Sequence, residues 1–362
     1  MFMAYPRRGL SVAAAAAALL LASCATPEPE PAPAPPPPPP PPPAVSLNEG
    51  VAQAASIYVA FMREAGTISA GFDSAEAIQA AIRKGASYEP AQLSRGMIAY
   101  GSILALQSPE FVQGVRTYAV DPAQRQQMIA RIIADPATAA TFPGADAAAG
   151  LIVDTIGKDS AAMLMIANAV EEDAYTIQGR SDPRRRWATV HITDRVTRLE
   201  GAKSLSAVTM LPSAEESARL FAAANSGSGL GASSARSGPP YTAAVVRSLA
   251  VAALAALGAG GEEARAETEA LTVEQNSEFC LNMSKLMLFQ CLAASRPSYE
   301  DMFCVGRHVA RDLATCTAQN ITPVPLEVPQ TAVAGGAPEQ TPVAAEAAAA
   351  STAATATLNT GG

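Results

Sequence analysis

NSEFCLNMSKLMLFQCLAASRPSYEDMFCVGRHVARDLATC, residues 276–316, contains four of the five cysteines and decides how the C-terminal part of the chain folds. The apolar residues before Arg296-Pro297 predict a helix over about residues 276–294, and the dipeptide predicts a turn. Ser298 followed by Asp301 is typical of a capping box and begins a second helix. The stretch therefore predicts an antiparallel helical hairpin.

The geometry of such a hairpin discriminates among the three ways to pair its cysteines. Facing residues in an antiparallel hairpin share a constant sum of residue numbers. That sum is 595 for Cys291 with Cys304. It is 596 for Cys280 with Cys316, so nested pairing places both pairs at matching heights. The N-terminus, described below, predicts export and sets the fifth cysteine, Cys24, aside. An even number of remaining cysteines in an exported chain predicts disulfides, and we expect them to be Cys280–Cys316 and Cys291–Cys304.

This arrangement is similar in build to the twin-cysteine coiled-coil–helix hairpins of the mitochondrial intermembrane space. The cysteines of each helix are separated here by ten and eleven residues and not by nine, so the similarity is one of build and not of kinship. Metal binding by the four thiols is the alternative, but the stretch lacks the close C-x-x-C pair of such sites. Neither a metal nor a cofactor is expected.

The N-terminus is typical of an exported protein. A pair of arginines precedes a short apolar run over residues 10–22, which is too short to span a membrane. The run ends in Leu21-Ala22-Ser23-Cys24, which resembles the lipobox of bacterial lipoproteins. The resemblance implies that residues 1–23 are a signal peptide and that Cys24 is lipidated. Ala and not Asp follows the cysteine, which implies the outer membrane, on its periplasmic side or at the cell surface.

Three segments have a composition that does not predict a hydrophobic core. Residues 24–45 contain a Pro-rich run over residues 27–43 with nine consecutive prolines, which predicts a stalk of roughly 50 Å, since polyproline II rises about 3.1 Å per residue. Residues 226–240 are rich in Gly and Ser and predict a flexible linker. Residues 318–362 consist mainly of Pro, Ala, Thr and Val with almost no charge, which predicts a disordered tail.

The rest of the chain is predicted to be all-α, with a helical domain over residues 46–225 and a helical module over residues 241–317. Aromatic residues, which favour strands, make up only 5% of the chain, whereas helix formers abound. The Ala-rich run 241–257 contains Arg247 and predicts a buried helix and not a membrane span. Capping residues followed by proline predict helix starts at Ser108-Pro109, Asp121-Pro122, Asp135-Pro136 and Asp182-Pro183.

Glycines and alternating residues give finer predictions for the helical body. Gly96 and Gly101 are expected to let a neighbouring helix approach closely. Gly157 is expected to interrupt a long helix over residues 147–178. Residues 188–193 alternate between apolar and polar side chains, as strands do, but their helical surroundings predict a helix.

The charge of the chain limits its partners. The net charge is −8 and the pI about 5.0, which argues against nucleic-acid binding because phosphate contacts need a basic face. One basic cluster stands out, with a local net charge of +4 over residues 180–203. It could contact an anionic surface such as lipopolysaccharide, peptidoglycan or an acidic partner, or it could be an ordinary solvated face. Its candidate contact residues are Arg184, Arg185, Arg186, Arg195 and Arg198.

The sequence carries no strong enzyme signature. It contains no G-x-S-x-G, H-E-x-x-H or P-loop motif. Glu216-Ser217 resembles the Glu-Ser of helical lytic transglycosylases, but the Gly-Leu-Met-Gln context of that family does not follow. We therefore expect a non-enzymatic lipoprotein, attached to the membrane by its lipid, that binds or scaffolds an envelope protein or peptidoglycan. The alternative is a peptidoglycan hydrolase with Glu or Asp as general acid.

Overall fold

The computed structural model describes residues 41–180 and 182–323. Within these ranges the chain is helical, and its β-type contacts are the isolated bridges Leu47–Gly260 and His191–Pro297. The predicted all-α fold is confirmed. The predicted lipidation site, most of the proline stalk and the tail beyond residue 323 lie outside the described residues.

The helices are numbered here in chain order. Short 3₁₀ helices occupy Pro136–Thr141, Pro183–Thr189 and Glu262–Ala264. A π-helical turn, Gly306–Arg311, joins the last two α-helices into one continuous helix. The α-helices are α1 (Glu49–Ala65), α2 (Ala75–Ala86), α3 (Pro90–Ala105), α4 (Pro109–Arg116), α5 (Pro122–Ala134), α6 (Ala145–Gly179), α7 (Arg195–Ser206), α8 (Ala214–Ser226), α9 (Ala243–Ala256), α10 (Arg265–Leu271), α11 (Gln275–Ala294), α12 (Ser298–Val305) and α13 (Asp312–Ile321).

The predicted cap signals do begin helices. The side chains of Ser108 and Asp121 accept hydrogen bonds from backbone N–H groups in the first turns of α4 and α5, which both start with proline. Asp135 and Asp182 cap in the same way, but the helices that follow them are of the 3₁₀ type. Cap chemistry therefore located these starts correctly without fixing the type of helix.

Two predictions for the middle of the chain are wrong. α6 continues through Gly157 without a break, because a helical glycine costs only about 1 kcal/mol and the flanking turns are packed into the core. Residues 190–192 are extended and pair with the hairpin turn: Ser298 N–H donates to Val190 O (3.3 Å), and Ile192 N–H donates to Arg296 O (2.8 Å). Of residues 188–193, the first two end the 3₁₀ helix, the next three form this short extended pairing, and the following α-helix begins only at α7.

α3 and α9 lie at the centre of the core. α9 is apolar except at Arg247 and Ser248 and is buried along most of its length, as the sequence predicted. It packs against α3, which also contacts α1 and α6. A Cβ added at Gly96 would lie 2.6 Å from the Ala54 carbonyl oxygen, and one at Gly101 would lie 2.5 Å from Ser248 Oγ. The predicted close approaches are confirmed, since neither position has room for a side chain.

The two predicted domains share one hydrophobic core. α9, at the start of the predicted C-terminal module, packs on α3 and α6 of the predicted N-terminal domain. The predicted linker also contacts the body: Ser237 N–H donates to Asp146 O (2.9 Å), and Arg236 pairs with Asp146 (3.0 Å) and with Glu110 (2.5 Å). Residues 226–240 therefore connect two parts of one core and do not separate two domains.

The nested disulfide pairing is confirmed. Cys280 is bonded to Cys316, and the two Cα atoms lie 5.7 Å apart. Cys291 is bonded to Cys304 at the same Cα–Cα distance of 5.7 Å. The two bonds join α11 to α12 and α13 near both ends of α11, as expected for an antiparallel hairpin.

The second helix of the hairpin differs from the prediction at both ends. Ser298 is its first residue and makes no side-chain cap, so the predicted capping box is wrong. The Asp301 carboxylate binds Arg198 instead, because that buried guanidinium needs an anion beside it. At the other end the helix continues to Ile321, so residues 318–321 of the predicted tail are helical.

Gly96→Ala should destabilise the fold, by about 1–3 kcal/mol, because the added methyl group has no room beside α1. Gly201→Ala is the matched control: Gly201 lies in the interior of α7 with open space around it, so alanine should add about 0.5–1 kcal/mol of stability. Urea unfolding of the unlipidated chain measures both. Equal effects of the two substitutions would contradict the close approach of α1 and α3.

Candidate functional site

The structure divides the predicted basic cluster between buried and exposed positions. The Arg198 side chain is only 2% exposed, and its Nη1 donates to Asp301 Oδ2 (2.6 Å). Its Nη2 donates to the Leu292 carbonyl oxygen and to Ser295 Oγ (3.2 Å). Arg195 Nε donates to the Ser295 carbonyl oxygen (2.8 Å). The prediction that Arg198 contacts an anionic surface is therefore wrong, because its side chain is buried against Asp301 and the C-terminal end of α11. Arg195 is half-buried and donates to the same end of α11.

Arg185 is also paired within the fold. Its guanidinium donates to both carboxylate oxygens of Asp173 (2.7 and 2.8 Å), and this hydrogen bonding lowers the pKa of the Asp173 carboxyl. Arg184 and Arg186 remain exposed, and the Arg184 side chain is 94% exposed. Of the five arginines predicted to contact an anionic surface, Arg184 and Arg186 are thus exposed, Arg185 and Arg195 are half-buried, and Arg198 is buried.

Asp301 joins this polar cluster to further helices. Its Oδ2 also accepts a hydrogen bond from Gln79 Nε2 on α2 (2.9 Å), and its Oδ1 accepts one from Ser295 Oγ (2.6 Å). The buried pair of Arg198 and Asp301 therefore fixes α2, α7, α11 and α12 relative to one another. Sequence reasoning missed this because the two residues are 103 positions apart.

Lys285 anchors the inner face of α11. Its ammonium group donates to the carbonyl oxygens of Ala86 (3.3 Å), Ser206 (3.0 Å) and Tyr88, and it lies 4.2 Å from the centroid of the Tyr88 ring. Ala86 and Ser206 are the last residues of α2 and α7, where a helix carries partial negative charge. Burial lowers the pKa of Lys285 to about 7. Every ammonium proton thus has a carbonyl partner, which makes Lys285 a structural residue.

The outer face of α11 carries an exposed apolar stripe. The side chains of Phe279, Met283, Leu286 and Met287 are 65%, 39%, 45% and 40% exposed, and their spacing places them on one side of the helix. Contiguous exposed apolar surface on a soluble domain commonly marks an interaction site. Sequence reasoning missed the stripe because the opposite face of α11 is apolar as well, so the periodicity that separates core from surface is absent.

A groove runs beside this stripe, between α11 and α13. Its volume is about 410 Å³. Phe279, Met283 and Met287 line one wall, and Thr315 and Gln319 line the other. The Cys280–Cys316 disulfide connects the two helices here, so the groove has covalently fixed walls.

Glu216, the predicted candidate for a transglycosylase-like acid, lies in a different environment. Burial by itself raises the pKa of its carboxyl, but hydrogen bonds from Arg219 and Arg63 outweigh burial and lower the pKa below its usual range. The adjacent Ser217 donates to Ser56 Oγ (2.9 Å) inside the core. A general acid needs a raised pKa, so Glu216 does not fit that role.

Comparison of the chain with protein-family models, with curated proteins and with solved structures found no match. In the part of the chain that the structure describes, no group of three or more His, Cys, Asp or Glu side chains is placed to hold a metal ion. No helix in residues 41–180 and 182–323 has both the length and the hydropathy of a membrane span. The apolar stripe with its adjacent groove is therefore the candidate functional site.

Arg198→Ala should lower the free energy of unfolding by about 3–5 kcal/mol, because it leaves the buried Asp301 carboxylate without its cation. The exposed neighbour provides a control: Arg184→Ala should change stability by less than about 0.5 kcal/mol. Both values come from urea unfolding followed by circular dichroism. A loss below about 1 kcal/mol for Arg198→Ala would contradict the buried pair.

Proposed function

We propose that the chain is a bacterial envelope lipoprotein that binds protein through the outer face of α11 and catalyses no reaction. The observation that carries this proposal is the exposed apolar stripe of Phe279, Met283, Leu286 and Met287. Two further observations support it. The lipobox-like sequence ending at Cys24 favours a lipid anchor, and the two disulfides favour an oxidising compartment outside the cytoplasm.

The stripe is not needed for folding. The buried side of α11 already fills the core with Leu281, Leu288 and Leu292. The large apolar side chains on the opposite side remain between 39% and 65% exposed, and this exposed apolar surface lowers the solubility of the chain without contributing to the core. A binding role accounts for them, since burial in an interface contributes about 25 cal/mol per Å² of apolar surface.

The hairpin also suits binding because it is rigid before a partner arrives. Disulfides fix α11 near both ends, and Lys285 fixes its middle. Ordering a flexible segment would cost about 0.5–1.5 kcal/mol per immobilised side chain, and a preorganised helix avoids part of that cost. A proline stalk over residues 24–45 would hold this surface away from the outer membrane, in the periplasm or at the cell surface.

Cys24→Ala should move the protein from the membrane fraction to the soluble fraction of the cell, because the variant cannot receive the acyl chains. Several acyl chains anchor a protein stably, at about 0.8 kcal/mol per buried CH₂ group. Cell fractionation and intact mass measurement of the wild type check this. A variant that stays in the membrane fraction, together with a wild type that lacks acyl mass, would overturn the anchor.

Photo-crosslinking in cells tests the binding surface. Benzoylphenylalanine in place of Phe279 should yield a discrete protein adduct, and adding Met283→Asp should abolish it. The matched control is benzoylphenylalanine in place of Met165, an exposed apolar residue on α6 that is 67% exposed. The same adducts from both positions, or an adduct at position 279 that survives Met283→Asp, would refute binding through α11.

A further inference from the structure

We propose that the cleft between the C-terminal half of α6 and Arg311 binds a neutral saccharide, with Tyr175 as the platform for one sugar ring. The volume of this cleft is about 490 Å³, which lies within the range of roughly 300–1,000 Å³ that is typical of ligand sites. The cleft shares no lining residue with the groove beside α11. It is therefore a second site, and it does not depend on protein binding through α11.

α6 forms one wall of the cleft with residues from a single side of the helix. Asn168, Glu172, Tyr175 and Gly179 line the cleft and follow one another at steps of four, three and four residues. No described atom lies within 4 Å of the position that a Cβ would take at Gly179, so this end of the cleft is open. An open end suits a ligand that is a segment of a longer polymer.

The opposite wall is Arg311, the last residue of the π-helical turn. Its Nε and Nη2 donate to the two carboxylate oxygens of Glu171 (2.7 and 3.0 Å), and Nη2 also donates to Asn168 Oδ1 (2.7 Å). These bonds hold the guanidinium in place before a ligand arrives. They use Nε and Nη2 and leave the two N–H groups of Nη1 for a ligand.

Close packing of the π-helical turn on α6 brings these groups together. A Cβ added at Gly306, the first residue of the turn, would lie 2.8 Å from Glu171 Cγ. A side chain therefore has no room at this position, and glycine allows the turn to approach α6. Single π-helical turns are rare and are frequently found at functional sites. Here the turn ends at the residue that completes the cleft.

Tyr175 gives this polar cleft an apolar surface. It is 57% exposed, and its ring lies 5.6 Å from the ring of Phe303 at an angle of 65°. This T-shaped contact stabilises the orientation of the Tyr175 ring. A sugar ring has a face of C–H groups, which can pack on an aromatic ring, and an edge of hydroxyl groups. The edge requires polar partners around the platform.

The polar groups beside Tyr175 include both donors and acceptors. Arg311 Nη1 donates, the Glu172 carboxylate accepts, and the Thr176 hydroxyl does both. Glu172 and Thr176 are exposed, so their oxygens can reach a ligand. Each sugar hydroxyl is itself a donor and an acceptor, and a mixed set of partners satisfies both roles.

The charges in the cleft favour a neutral ligand. Glu171 and Glu172 are matched by Arg180 and Arg311, so the charged lining residues sum to zero. An anion would lie close to two carboxylates, and a cation would lie close to two guanidinium groups. A neutral saccharide avoids both repulsions, and it is therefore favoured over a phosphate or an amine.

Sedimentation with saccharide polymers tests the site, using the unlipidated mature chain with Cys24→Ser. The choice of probes rests on the proposed envelope location: they are purified peptidoglycan sacculi and purified lipopolysaccharide, and the polymer that binds identifies the source of the saccharide. Tyr175→Ala should weaken binding about 10-fold, because the sugar loses its apolar platform. The control Leu211→Ala removes an apolar side chain outside the cleft, at a residue that is 83% exposed, and should bind as the wild type does.

Tyr175→Phe separates a lost platform from a disturbed fold. It keeps the aromatic ring and the contact with Phe303 and removes the hydroxyl, so it should retain most of the binding. Thermal unfolding of each variant shows that the chain is folded. Equal binding by Tyr175→Ala and the wild type, or no binding of the wild type to either polymer, would overturn the saccharide site.

Glu172 distinguishes a neutral ligand from a charged one. Glu172→Gln keeps an acceptor oxygen without the charge and should retain binding, whereas Glu172→Ala should weaken it. Binding should also persist in about 1 M NaCl, where exposed charges are screened beyond about 3 Å. Equal losses for the two variants, or binding that salt abolishes, would show an ionic contact and contradict the proposal. The crosslinking result at position 279 is independent of these outcomes, because the two sites share no lining residue.

Discussion

The carbonyl groups at the C-terminal end of α11 are the constraint on which the surrounding structure depends. The last carbonyls of any helix lack partners within the helix, and an unpaired one in the interior costs about 1–3 kcal/mol. Arg198 satisfies the carbonyl of Leu292 and pairs with Asp301 on the next helix. The buried guanidinium of Arg198 therefore caps the C-terminal end of α11 and connects α11 and α12 to α7. Its own burial is tolerable only because Asp301 and these acceptors surround it.

α7 and α11 each provide side-chain donors to the last carbonyl groups of the other helix. α7 provides Arg195 and Arg198 to the C-terminal end of α11, and α11 provides Lys285 to the carbonyl of Ser206 at the C-terminal end of α7. Each helix thus supplies the N–H donors that the unpaired carbonyls at the end of the other require. This reciprocity explains why Arg198 and Lys285 lie in the interior of an acidic chain: their N–H groups satisfy buried carbonyls there.

The parts of the fold that the sequence predicted correctly are those set by local geometry. Cap signals such as Ser108-Pro109 depend on neighbouring residues, and the cysteine pairing follows from the arithmetic of one hairpin. The assignment of Arg198 to a solvated or binding surface failed because its anion is 103 residues away. The separation into two domains failed for the same reason, since the packing of α9 on α3 is not visible in either segment alone. Long-range partners, and not propensities, decided these cases.

The candidate site was beyond sequence reasoning for a different reason. α11 has large apolar side chains on both faces, so its pattern does not reveal which face is buried. Lys285 determines which face is buried, because it can reach the carbonyls of Ala86 and Ser206 only if its own face of α11 is directed inward. That choice leaves Phe279 and Met283 on the outside, whatever they bind. Folding thus uses the inner face of the helix and leaves the outer face for the binding that we propose. A substitution at Phe279, whose side chain is 65% exposed, can then change that binding with little effect on the stability of the chain.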